Sequence, residues 1–201
     1  MDILKYMLFA WVLFPASLMA QGDIYSIFSK SYQLENDGQY AEAAAVLESS
    51  RQNSYAVNLR LGWLYYQAGQ YTVSLGYYSK AISLKPASVE ARLGYVLPAA
   101  KLKAWSSVGA QYDAILKLDP NNYKANYYRG LMFYNMGNYK VAASYFDRMC
   151  NLYPFDYDVV ILSAWNSYYL KEMVKSRSLF EQALLIQPNS SSAKEGLNLT
   201  R

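Results

Sequence analysis

Between Tyr55 and Ser88, apolar residues recur at helical spacing, break off, and recur again. Leu61, Tyr65 and Ala68 share one face of a first helix. Gly69 follows as a stop, because glycine takes the left-handed cap conformation without a Cβ penalty. Val73, Tyr77, Tyr78 and Ala81 mark the inner face of a second helix, and Pro86 closes it by withholding a backbone donor. Gly62 offers a small surface where the two helices cross. The pattern predicts a helical hairpin.

The hairpin recurs. Pro86, Pro120, Pro154 and Pro188 fall at one constant interval, shared by Tyr78, Tyr112, Phe146 and Phe180 and by Tyr71, Trp105, Tyr139 and Met173. Three series with one period in one phase identify an internal repeat. A shorter unit precedes them, with Gly38, Tyr40, Ala43 and Leu47 in the places of Gly69, Tyr71, Ser74 and Tyr78. The offset there falls three short of the full period, so this unit has lost three positions near Ser49–Ser54. The expected repeats are 24–54, 55–88, 89–122, 123–156 and 157–190. A short capping helix over 191–201 should face the last unit with Ala193, Leu197 and Leu199. One hairpin cannot bury its own apolar face and a stack can, so the fold is expected to be an all-α solenoid.

These units resemble tetratricopeptide repeats. Gly62, Tyr65, Gly69, Tyr71, Tyr78, Ala81 and Pro86 match the family's signature places, as do Gly130, Phe133, Gly137, Tyr139, Ala142, Phe146 and Pro154. The third unit keeps Tyr112 and Pro120 but has Lys103 for the turn glycine and Pro98 inside its first helix, where a kink is expected. The fifth keeps Ala164, Phe180, Ala183 and Pro188, with Lys171 for the glycine. Asn58, Arg92, Asn126 and Val160 stand where the family has its first-helix tryptophan. The resemblance implies a right-handed superhelix whose first helices line a concave groove for a protein or peptide.

Carrying that groove face onto this chain selects Tyr25, Phe28 and Tyr32, then Leu59, Trp63 and Tyr66, then Glu90, Leu93 and Leu97. The fourth unit gives Lys124, Tyr127, Leu131 and Tyr134; the fifth gives Asp158, Ile161, Trp165, Tyr168 and Tyr169. Tyr32, Leu59, Trp63, Tyr66, Leu97, Lys124, Tyr127, Tyr134, Trp165, Tyr168 and Tyr169 are the candidate contacts. Trp63, Tyr134 and Trp165 lead, because rings so large should be redundant for the hairpin's own core. Aromatic rings dominate interface energies, since they bury large area at low entropic cost. The competing reading is that neighbouring helices already bury these rings. The family's chaperone-tail binders clamp a carboxylate with several cations and asparagines. At the matching places this chain has Leu59, Trp63, Gly94, Lys124 and Tyr128, of which Lys124 alone fits, so that specificity is not expected.

Composition narrows the chemistry. The chain has 201 residues, 53% of them hydrophobic, enough for a sizeable core. Its 22 tyrosines are too many for packing alone and must also serve the surface. The net charge of +4 is scattered, without the basic stripe of a nucleic-acid binder. With no histidine and one cysteine, His-based catalytic pairs, zinc spacing and an internal disulfide are all absent. The expectation is a non-catalytic protein without cofactor or metal. Cys150 reads as a small buried residue, with dimer cross-linking as the alternative. NLYPFDYD, at 151–158, reads as an aromatic-rich linker whose Asp156 and Asp158 start the next helix.

The N-terminus reads as an address. Lys5 precedes an apolar core from Tyr6 to Phe14, followed by Pro15 and small residues, the plan of a cleaved secretory signal over 1–20. Cleavage is expected after Ala20 or Gly22, with an uncleaved anchor as the alternative. An exported, periplasmic or extracellular scaffold follows, one that could help assemble an envelope complex. A carbohydrate-binding module and a structural protein self-associating through its short C-terminal cap are the alternatives.

Overall fold

Each period of the sequence is a pair of helices in space. The structure, a computed structural model, describes the backbone of residues 16–201 and the side chains of residues 24–201. Two compact units divide at Asn53 and Ser54. The first holds α1 (Ala16–Asn36) and α2 (Tyr40–Glu48). The second holds α3 (Tyr55–Gln67), α4 (Tyr71–Leu84), α5 (Val89–Lys101), α6 (Trp105–Leu118), α7 (Tyr123–Asn135), α8 (Tyr139–Leu152), α9 (Tyr157–Tyr169), α10 (Met173–Ile186) and α11 (Ser191–Leu199). Among the described residues every regular element is a helix, and the fold is an all-α helical-repeat solenoid.

The first helices of the second unit start one period apart because their caps do. Ser54, Ser88, Asn122, Asp156 and Ser190 each accept a hydrogen bond from the backbone N–H three residues on, satisfying a donor the helix itself cannot. The turn inside each hairpin needs a left-handed residue. Gly69 and Gly137 supply it at φ 76° and 72°, and Lys103 and Lys171 are held in the same conformation at 57° and 64°. The turn is therefore kept even where the sequence substitutes lysine for glycine.

Packing centres on the ring contributed once per period. Tyr78, Tyr112, Phe146 and Phe180 are all buried. Tyr78 lies between α3 and α5, where a Cβ on Gly62 or Gly94 would come within 2.8 and 2.2 Å of its ring. The inner face of the second helix differs from expectation at one position. Val73 is exposed, and Ser74 faces inward instead, its hydroxyl donating to the Gly62 carbonyl at 2.6 Å. Ser176 repeats this with the Ala164 carbonyl at 2.9 Å. The hydroxyl is tolerated in the interior because the facing carbonyl satisfies it, and one period after Ser74 the same place holds buried Val108. Leu64, absent from the expected core, is fully buried.

Three of the four positions lacking the family's tryptophan, Asn58, Arg92 and Asn126, hold polar ties, while Val160 is buried in the apolar core. Asn126 donates to the carbonyls of Pro120 and Asn122, both at 2.9 Å, and Arg92 reaches the Pro86 carbonyl at 2.8 Å, one period before. Pro98 does not end its helix, which continues to Lys101; the next turn closes normally, with Leu102 N–H on the Pro98 carbonyl at 3.0 Å. In the closing helix, Ala193 and Gly196 are buried while Leu199 is exposed. The Phe180 ring fills the space beside Gly196, and Leu199 is exposed instead of facing the last unit as expected.

In the first unit, α1 starts at Ala16, upstream of the Ile24 expected for the first repeat. The expected cleavage points after Ala20 and Gly22 fall within that helix, and the apolar stretch Tyr6–Phe14 lies outside the described residues. The second helix of this unit is shorter than its counterparts, ending at Glu48 after 9 residues, and Arg51 after it has φ 52°. Ala43, Ala44 and Leu47 form its buried face. Among the described residues no helix is long and apolar enough to cross a membrane.

Candidate functional site

The candidate contact residues fall into separate groups. In the first unit, Tyr32 is exposed on α1, its ring 6.5 Å from that of Phe28. In the second unit, Leu59, Trp63 and Tyr66 are half-buried along α3, with the rings of Trp63 and Tyr66 6.0 Å apart and Tyr66 reaching Tyr71 at 5.8 Å. Leu97 is exposed on α5 and Lys124 is exposed at the start of α7.

The remaining rings are brought together. Tyr134 on α7 meets Tyr169 on α9 edge-on at 5.9 Å, and Tyr169 stacks on Tyr139 at 4.7 Å. Tyr168 and Trp165 continue the cluster at 5.6 and 6.5 Å from Tyr169. Tyr169 remains 44% exposed, so this cluster presents ring surface to solvent. Burial, then the neighbouring hydroxyls of Tyr169 and Tyr139, pushes the Tyr134 phenol up to about 12. It is a neutral donor across the physiological range.

Trp165 is less available than its position in the sequence suggests. Its ring packs edge-on to Phe180 at 4.9 Å, its N–H donates to Ser192 at 2.8 Å, and it joins the apolar cluster of Val160, Ala164, Phe180 and Ala183. Contrary to expectation, the ring is not redundant for its hairpin: it packs on Phe180 of α10, and the closing helix engages its N–H as well.

A second ring group surrounds Tyr127. Tyr123 and Tyr127 stack at 6.0 Å, Tyr153 meets Tyr123 edge-on at 5.1 Å, and Tyr128 links Tyr127 to buried Tyr112. The Tyr123 hydroxyl donates to the Asp156 carboxylate at 2.6 Å. Burial, aided by that bond and by the charges of Asp156 and Asp158, raises the Tyr123 phenol far above the usual tyrosine range.

Other features are not legible in the expected site. Tyr55 and Tyr157 bond Ser88 and Ser190 at 2.7 and 2.6 Å, so first-helix tyrosines grip the cap of the next repeat. A tyrosine just after the caps Ser54, Asn122 and Asp156, almost one period before the next polar cap, was the available signal. Arg129 makes a two-pronged ion pair with Asp113 at 2.8 and 2.9 Å and lies 4.3 Å over the Phe133 ring. An open crevice of about 420 Å³ is lined by Asp113, Lys117, Asn126, Ser144, Tyr145 and Arg148, with none of the expected contacts in it. Cys150 is a free thiol, half-buried against the Val160–Phe180 cluster, and burial pushes it up. Among the described residues no group of three or more acidic or cysteine side chains could hold a metal.

Solved structures share this architecture. A tetratricopeptide repeat protein from Parabacteroides merdae superposes with a TM-score of 0.75 at 19% identity, over 89% of this chain and 72% of that one. YrrB, described as a TPR protein with an unusual peptide-binding site, gives 0.71 at 16% identity, over 91% and 96%. The C-terminal part of a TPR repeat-containing protein from Cytophaga hutchinsonii gives 0.71 at 24% identity, over 86% and 69%. No curated protein matches the sequence. The family model described as Tetratricopeptide repeat matches residues 32–89, 59–105 and 110–157, more than half the chain. The caps, turns and rings that recur once per period are thus those of a known repeat, and the chain belongs to the tetratricopeptide repeat family.

Proposed function

We propose that this chain is an exported, non-catalytic scaffold that holds a protein or peptide partner along the first helices of its repeats. The observation that carries the reading is the ring cluster of Tyr134, Tyr168 and Tyr169, which leaves aromatic surface exposed after the repeats have packed. Exposed rings of this kind supply binding energy with little entropy loss. Leu59, Trp63 and Tyr66 extend the surface on α3, and Leu97 and Lys124 flank it. Peptide binding by YrrB, a protein of similar fold, supports the class of partner. Export rests on the signal-like segment over 1–20, and a role in assembling an envelope complex follows from the two together.

Affinity capture with the full chain, followed by mass spectrometry, tests the reading. Trp63→Ala and Tyr169→Ala should each abolish recovery of the partner while circular dichroism keeps its helical signal. Unchanged recovery with both variants removes the groove. Loss of the segment ending at Ala20 or at Gly22 from the expressed chain, read from its intact mass, tests export separately.

A further inference from the structure

The chain carries three versions of one tyrosine-centred arrangement, and the middle one is out of balance. Tyr55, Tyr123 and Tyr157 each open a first helix and hydrogen-bond the cap of the next repeat. Around Tyr55 the chain supplies its own cation: Lys85 lies 5.1 Å over the ring, and Glu90 accepts from the hydroxyl at 3.1 Å. Around Tyr157 the equivalent places hold Gln187, Ser190 and Ser192, all neutral. Around Tyr123 they hold Tyr153, Asp156 and Asp158. The lysine has become a third ring, and the cap serine has become a second carboxylate.

This place therefore has more π surface and more negative charge than its counterparts, and no cation. Among the described residues no lysine or arginine lies within ion-pair distance of Asp156 or Asp158, and none sits over the Tyr123, Tyr127 or Tyr153 rings. Lys124 is the nearest basic residue to Tyr123 in sequence, and it is exposed and forms no ion pair with either carboxylate. Asp158 is exposed, Tyr153 is 38% exposed, and Phe155 in the same turn is 75% exposed.

We propose that Tyr123, Tyr127 and Tyr153, with Asp156 and Asp158, form a docking surface for a lysine- or arginine-bearing segment of a protein partner. The Tyr153 ring stands where Lys85 stands beside Tyr55, and the incoming cation lies against the exposed ring surface, attracted by the ring faces and by the two carboxylates. Phe155 covers the aliphatic stem of the bound side chain. The phenols of Tyr123 and Tyr127, raised first by burial and then by the acidic neighbours, stay neutral, and the negative field is that of Asp156 and Asp158. This surface meets the first-helix groove at Tyr127 and Asp158 and stands whether or not the groove is occupied.

Titration of the full chain with capped peptides of alternating glycine and lysine, glutamine or glutamate tests it, read by calorimetry at low salt. The lysine peptide should bind about tenfold more tightly than the other two, and added salt should weaken it. Tyr153→Lys with Asp156→Ser recreates the Tyr55 arrangement using residues that another repeat already tolerates. That double variant should lose about tenfold in affinity with unchanged helical signal. Asp158→Ser, the residue found at position 192, gives a second reading independent of the cap and should weaken binding about threefold. Equal binding of the glutamine peptide means an apolar face only and overturns the proposal. So does undiminished binding by both variants, or no binding of the lysine peptide. A defined peptide is the readout, so failure here is distinct from failure to capture a partner in the groove.

Discussion

The hydroxyl of Tyr157, at the start of α9, lies 2.6 Å from Oγ of Ser190, the residue that caps α11. Ser190 also accepts from the Ala193 N–H at 3.0 Å, so one side chain ends one repeat's connection and starts the next helix. Tyr157→Phe should destabilise the chain by about 1 kcal/mol, and Ser190→Ala by about 1–2 kcal/mol. Because they share a bond, the double variant should lose less than the sum, as measured by urea unfolding. Hydrogen exchange should report the loss first in α11. Strict additivity would show that the two residues act separately.

Glycine to alanine should have opposite signs at two positions. Gly94 abuts the Tyr78 ring, where a Cβ would come within 2.2 Å, and Gly94→Ala should cost about 1–3 kcal/mol through overpacking. Gly76 lies in α4 with nothing within 4 Å of an added Cβ, and Gly76→Ala should gain about 0.5–1 kcal/mol. Thermal unfolding of both variants checks the contrast.

The hairpin turns make a similar prediction. Lys103 is held at φ 57°, where a side chain is strained, so Lys103→Gly should stabilise the third repeat by about 0.5–1 kcal/mol. Gly69→Ala, at φ 76°, should lose about 1 kcal/mol. A gain at both positions, or a loss at both, would contradict the cap assignment.

Buried tyrosines give the fold an alkaline limit. Burial, with a smaller contribution from Tyr128, pushes the Tyr112 phenol up to about 12. Its folded value exceeds that of the unfolded chain, so the stabilisation is complete below pH ~10 and is lost as pH rises toward about 12. The urea midpoint should be level near neutrality and fall across that window. Tyr112→Phe should make the fall shallower.

Much of the repeat was legible because its constraints are local. Gly69 and Pro86 punctuate the chain by their own backbone chemistry, and the Tyr78–Phe180 series betrays a ring needed once per hairpin. Val73 shows where this stops. On a helical wheel it shares a face with Tyr77, yet it is exposed, and its neighbour Ser74 faces α3, bonded to the Gly62 carbonyl. The same holds for Trp165, whose availability depends on a closing helix that brings Ser192 to its indole.

The sequence by itself determined the helices, their period and the positions of turns and caps, because each depends on the backbone preferences of a few neighbouring residues. Tertiary structure decided which aromatic rings remain exposed and which tyrosine has an acidic partner without a cation. Both depend on distances between residues about one period apart, and spacing alone does not carry them. Tyr55 and Tyr123 occupy the same place in the repeat, and only the side chains folded back against them distinguish a balanced site from an open one.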